Sequence, residues 1–144
     1  MINFLGSFLS VLQSIGNILV ALLVFLFMIT VHEFGHFVAG RLLKFQINEF
    51  AVGMGPKLLS KKAKDGTTYS LRALPLGGFC AFEGENEDET EVNPRAFNSQ
   101  KPWKRIIVLL SGALFNFISA IIICSIVFLC YGETTVKVNN VYDY

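Results

Sequence analysis

Apolar residues are not spread evenly along this chain. They gather in two long runs, about residues 15–40 and 106–131, separated by a mixed segment holding most of the charge. The second run, Ile106 to Tyr131, carries no charged residue, and the first is apolar without interruption by charge until His32. Each is long enough to cross a hydrocarbon core of about 30 Å as a helix with some tilt. Ahead of the first run, Asn3, Ser7, Gln13 and Asn17 dilute the pattern, so residues 1–14 are expected to lie outside the membrane or in its interface.

The segment between the runs changes period. Phe45 to Gly53 alternates loosely, and Thr67 to Phe82 is rich in β-branched and aromatic residues. Asp65-Gly66 stands between them as a turn signal, which predicts a small, partly apolar β-hairpin or sheet over residues 45–82. Gly53, Gly55, Pro56, Pro75, Gly77 and Gly78 divide it with bends or bulges. An acidic run over residues 83–91 reads as a solvated loop. Residues 94–105 are expected to form a short amphipathic helix with Phe97 and Trp103 at the interface. The fold class is therefore a mainly α membrane protein, with two transmembrane helices joined by a segment containing a small membrane-associated β-hairpin.

Composition agrees: 53% of residues are apolar and the mean hydropathy is +0.53, values of a membrane protein. The net charge is only +1, yet eleven of the twelve Lys and Arg residues lie from Arg41 to Arg105. The positive-inside rule places residues 41–105 in the cytoplasm and both termini, including the tail 132–144, outside. The expected location is a plasma or inner membrane, crossed more than once. These cations report topology, and no nucleic-acid partner is expected. Residues 1–31 lack the basic region of a secretory signal peptide. Cys80, Cys124 and Cys130 show neither a CxxC spacing nor a disulfide framework. Cys124 and Cys130 read as small apolar residues of the second span, and nothing in the spacing brings Cys80 to a metal.

The chemistry sits in the last third of the first run, as His32-Glu33-Phe34-Gly35-His36. Helical residues four apart share a face, so His32 and His36 can close on one zinc ion while Glu33 serves as general base. Two interfacial histidines with a snorkelling glutamate are the plain alternative. Ionisable groups at that depth cost a few kcal/mol each and mark function, so the metal site is preferred. In the second run Gly112 and Asn116 stand one turn apart. They suit either close helix packing or an amide that holds a substrate's freed backbone.

Together these residues resemble the site-2 protease family of intramembrane zinc metalloproteases, nearest the bacterial branch that cleaves anti-sigma factors and remnant signal peptides. The resemblance rests on VHEFGHF (31–37), FAVGMGPKL (50–58), YSLRALPLGGF (69–79) and GALFNFISA (112–120). It implies His32 and His36 as zinc ligands, Glu33 as the catalytic glutamate, and substrates that are membrane-spanning helices within lipid. It maps the family's membrane-associated β-loop onto Phe45 to Phe82 and its substrate-contacting asparagine onto Asn116. Gly112, Gly77 and Gly78 are counted with Asn116 as substrate-binding candidates.

Family members complete the zinc site with an aspartate from an LDG-type motif, and this sequence contains no such motif. Asp65, Asp88 and Asp143 have no apolar helical context. Val136 to Val141 alternates like the first strand of the PDZ domain usual in that branch. The chain thus reads as the N-terminal half of such a protease, its third ligand supplied by a C-terminal half and its activity alone expected to be poor. The competing reading is a non-catalytic membrane module that binds transmembrane helices or a partner half.

Overall fold

In the computed structural model the described residues are 2–85 and 93–132. They form a helix α1 (Ile2–Leu42), two strands β1 (Ile47–Lys62) and β2 (Thr68–Phe82), a single 3-10 turn (Phe97–Ser99) and a helix α2 (Pro102–Tyr131). Helix α1 has 41 residues, about 60 Å at 1.5 Å per residue, so it exceeds the thickness of a hydrocarbon core. It includes residues 2–14, which are helical and continuous with the span rather than separate from it. The amphipathic helix expected over 94–105 is replaced by the 3-10 turn, and Trp103 to Arg105 begin α2 instead. Pro102 explains the break: its ring suits the first position of a helix but not its interior. Most of the acidic run and the tail after Gly132, with Asp88, Asp143 and Val136 to Val141, lie outside the described residues.

Both helices pass the length and hydropathy test for membrane spans, at Leu9–Leu42 and Pro102–Tyr131. Their apolar side chains face outward on most sides; Leu19, Leu23, Ile122 and Phe128 are each more than half exposed. A helix apolar all round needs a lipid or protein surrounding to bury it. Helix α1 ends in a Schellman motif, with Lys44 left-handed at φ 66°, Phe45 N–H donating to Gly40 O and Lys44 N–H to Arg41 O. That sharp stop turns the chain straight into β1 and plants Phe45 in the core.

The core lies where the end of α1 meets the sheet and the start of α2. Ala39, Phe45, Ile47, Cys80, Phe82 and Val108 are buried together, with Phe97 packed against them. The rings of Phe45, Phe82 and Phe97 sit 5.6 to 5.7 Å apart, within the range of favourable aromatic pairs. Arg95 fastens the returning chain by donating to Lys44 O and Phe45 O.

The two strands pair as an antiparallel hairpin around the expected Asp65-Gly66 turn, but they do more than that. Lys57 to Lys62 pairs antiparallel with Thr68 to Arg72, and Ile47 to Val52 pairs antiparallel with Gly78 to Phe82. Glu49 to Val52 also pairs with Thr68 to Leu71, and there the two numbers rise together: 49 with 68, 50 with 69, 51 with 70, 52 with 71. This contact is parallel. The hairpin therefore folds across itself into four neighbouring segments, in the order 78–82, 47–52, 68–71 and 57–62. The bends fall at Gly53, φ 85°, and Gly77, φ 102°, conformations that glycine adopts without a Cβ penalty.

One charged cluster holds the folded hairpin. Glu49 accepts from Ser70 Oγ, Lys57 Nζ and Arg72 Nη2, and Arg72 also donates to Gly55 O at the bend. Burial by itself raises the pKa of the Glu49 carboxyl, but the hydrogen bonds from Ser70, Lys57 and Arg72 outweigh it and bring it down to about 2. At the opposite corner Arg41 pairs with Asp65 and donates to Tyr69 Oη at 3.2 Å, tying the hairpin turn to the end of α1.

Helices α1 and α2 meet backbone to backbone. A Cβ on Gly35 would fall 2.5 Å from Ser111 O and 3.0 Å from Gly112 Cα, with no flexible side chain to yield. Gly35→Ala is expected to push the helices apart and cost about 1–3 kcal/mol. Gly16→Ala, where nothing lies within 4 Å, is expected to be neutral. Comparing unfolding of both variants in detergent measures the difference.

Candidate metal centre

The histidines stand on the last turns of α1, on the face that meets α2. Their rings are 4.7 Å apart between centroids and nearly perpendicular, at 84°. Ligand atoms of His32, Glu33 and His36 all lie within 4.8 Å of one another, and all three side chains are half-buried. Among the described residues this is the group of His, Cys, Asp and Glu side chains placed to hold a metal ion.

Helix α2 sets how each ring is presented. His36 Nδ1 lies 2.7 Å from Val108 O. A carbonyl only accepts, so Nδ1 carries the proton and Nε2 keeps its lone pair, the form that binds metals. His32 Nδ1 lies 3.4 Å from the amide of Asn116, whose Oδ1 is buried without a hydrogen-bond partner. The two Nε2 atoms then point at a space that exists because residue 112 is glycine. A Cβ there would stand 2.6 Å from His36 Nε2 and 2.7 Å from His32 Nε2. Two imidazole Nε2 atoms, an adjoining carboxylate and an open space between them fit a zinc ion, which takes His nitrogens at about 2.0–2.1 Å.

The site opens to a cavity of about 350 Å3. Glu33 and His36 line one side, Val108 another, and Phe79, Cys80 and Ala81 of β2 the third. Gly78 brings the strand close: a Cβ on it would lie 3.7 Å from Glu33 Cγ and 2.9 Å from Ala51 O. Segment 78–82 is an edge of the sheet, with 47–52 its strand partner among the described residues. Phe79 to Phe82 of this edge line the cavity.

The structure thus brings His32, Glu33, His36, Gly112 and Asn116 together, with Gly78 beside Glu33. Gly77 lies at the bend instead, where a Cβ would meet Met54. Cys80 reaches the cavity although no motif foretold it. Burial, reinforced by the carboxylates of Glu33 and Glu85, pushes its thiol up to about 12, so at neutral pH it is protonated and a poor ligand. Asp65 is spent on Arg41 at the hairpin turn. Two contributors went unseen in the sequence: Val108, which acts through its carbonyl, and Gly35, which sits inside the metal motif and admits α2.

Two long apolar helices thus carry an HExxH group at their crossing, with a folded hairpin edge beside it. The chain belongs to Peptidase family M50, the site-2 protease family, which matches residues 20–142. It is 41% identical over 120 residues to a Clostridium acetobutylicum protein and 46% identical over 106 residues to one from Clostridium perfringens, both bearing the name "Putative zinc metalloprotease". These matches cover 83% and 74% of this chain but 34% and 31% of the relatives. A third relative, "Probable protease eep" of Enterococcus faecalis, is 46% identical over 78 residues, 54% of this chain and 18% of its own. The chain spans about a third of the length of the first two relatives.

Gly112→Ala places a methyl group between the two Nε2 atoms. Zinc affinity, read by competition with a chelator, is expected to fall at least about tenfold, while Gly16→Ala leaves it unchanged.

Proposed function

We propose that this chain carries the histidine-bearing part of an intramembrane zinc protease that cuts membrane-spanning helices of other proteins, such as anti-sigma factors or remnant signal peptides. The observation that carries the reading is the convergence of His32, Glu33 and His36, with ligand atoms within 4.8 Å of one another and both histidine Nε2 atoms beside Gly112, at a crossing of two apolar helices. The proposed location is a cell membrane, with residues 41–105 on the cytoplasmic side and both termini outside. Arg41 in the last turn of α1, Lys44 just after it, and Lys101, Lys104 and Arg105 around the start of α2 support that orientation.

His32 and His36 hold the zinc in this reading, through their Nε2 atoms. Bound there, zinc supplies Lewis acidity to the scissile carbonyl and to the attacking water. Glu33 takes the proton of that water and returns it to the leaving amine. An aspartate from a further segment, on the same polypeptide or on a partner, completes the ligand set.

A transmembrane helix cannot be cut while its peptide groups are locked in helical hydrogen bonds. The edge of segment 78–82 lies next to Glu33 with no second strand on it among the described residues, and only Phe82 N–H is taken there, by Glu85 Oε2, so an unwound substrate adds along residues 78–81 as a further strand. Gly78 lets that strand lie close to α1, and Gly77 sets the bend that aims it. The aromatic contact between Phe34 and Phe115, 5.9 Å between ring centroids, holds the helix crossing beside this edge.

Glu33→Gln keeps the shape of the site but removes its base. Cleavage of a transmembrane substrate by the reconstituted protein is expected to fall about 10²–10⁴-fold, with zinc content retained. Equal cleavage by the variant and the parent would contradict the assignment. Helix binding with no cleavage by either, even with an aspartate-bearing segment supplied, would favour a non-catalytic helix-binding module.

A further inference from the structure

We infer that Asn116 is a positioning residue of the metal centre: its amide oxygen accepts the Nδ1 proton of His32 and so aims His32 Nε2 at the metal. This rests on the zinc-protease reading above and assigns Asn116 a part in it other than contact with substrate. Three observations carry it. The Asn116 amide is the side-chain group at His32 Nδ1, 3.4 Å away. Its Oδ1 is buried and has no other partner. The other histidine already shows the complete arrangement, with Nδ1 2.7 Å from an acceptor, Val108 O, on the same helix.

Chemistry decides which end of the amide faces the ring. With Nδ2 toward the ring, His32 Nδ1 must be the acceptor, so the proton sits on Nε2 and blocks the ligand atom. With Oδ1 toward the ring, Nδ1 keeps the proton, Nε2 is free and the orphaned oxygen gains its partner. A half-turn of the amide about its terminal bond gives this second arrangement, which gives His32 Nδ1 an acceptor and Asn116 Oδ1 a donor. Val108 and Asn116 are eight residues apart, a little over two turns of α2, and Gly112 lies midway between them. One face of α2 therefore supplies an acceptor for each ring and, between the acceptors, the space the ion needs. A metal-bound imidazole held this way by its other nitrogen is a common arrangement, and losing the holder costs about 10–100-fold in metal affinity.

The test compares zinc affinity of the purified protein with that of Asn116→Leu, Asn116→Ala and Asn116→Asp, by chelator competition. Absorption spectra of the cobalt-loaded forms are taken beside it. Leu keeps the volume and helix preference but accepts no proton, whereas Asp restores an acceptor. The expected result is zinc bound 10–100-fold more weakly by the Leu and Ala variants, altered cobalt bands in both, and most of the affinity recovered in the Asp variant. Should the Leu variant lose its helix content, the contrast between Ala and Asp carries the same test. Unchanged zinc affinity and cobalt spectra in the Leu and Ala variants, with only KM for a substrate raised, would overturn the inference and leave the protease reading standing. A parent protein that takes up no zinc even with the aspartate-bearing segment supplied would overturn both.

Discussion

The close crossing of α1 and α2 is the constraint on which the rest depends. Gly35 and Gly112 remove the side chains that would keep the helices apart, so backbone meets backbone at Ser111. In lipid no hydrophobic force draws helices together, and small residues at the contact let packing and hydrogen bonds do so. The same contact makes the site. It brings Val108 O to His36 and Asn116 to His32, and leaves a space in front of both rings. Wider separation would lose the orientation of the ligands before it lost the fold.

The folded hairpin depends on the crossing in turn. Ile47 and Phe82 pack with Phe45 and Ala39 at the end of α1, and Phe79 to Phe82 line the cavity beside Glu33. The Glu49 cluster and the Arg41 contacts fix the hairpin at two corners, so the edge near Glu33 is held rather than free to drift. In the proposed reading, where an extended peptide adds to that edge, a fixed rail matters because productive geometry tolerates little misplacement.

Much of this was legible in the sequence, where local chemistry signals itself. The two apolar runs gave the helices, Asp65-Gly66 the turn, and His32, Glu33 and His36 the cluster the structure assembles. The helix expected over 94–105 does not form because Pro102 starts α2 and disfavours helical backbone in the residue before it. The parallel pairing of 49–52 with 68–71 was invisible, since it arises from bends at Gly53 and Gly77 that bring distant halves side by side. Val108 could not have been found at all: its part is played by a carbonyl, and any residue type has one. Asn116 was noticed, but its relation to His32 needs three dimensions.

The account stands or falls on what surrounds the metal in the loaded protein. Zinc-edge X-ray absorption of the purified, detergent-solubilised protein reads this directly. The predicted spectrum shows nitrogen or oxygen neighbours at about 2.0–2.1 Å, with the outer-shell scattering of two imidazoles, reduced to one in His36→Ala. A sulfur neighbour at about 2.3 Å, or a spectrum without imidazole scattering, would mean that the metal lies elsewhere and that the helix crossing serves some other end.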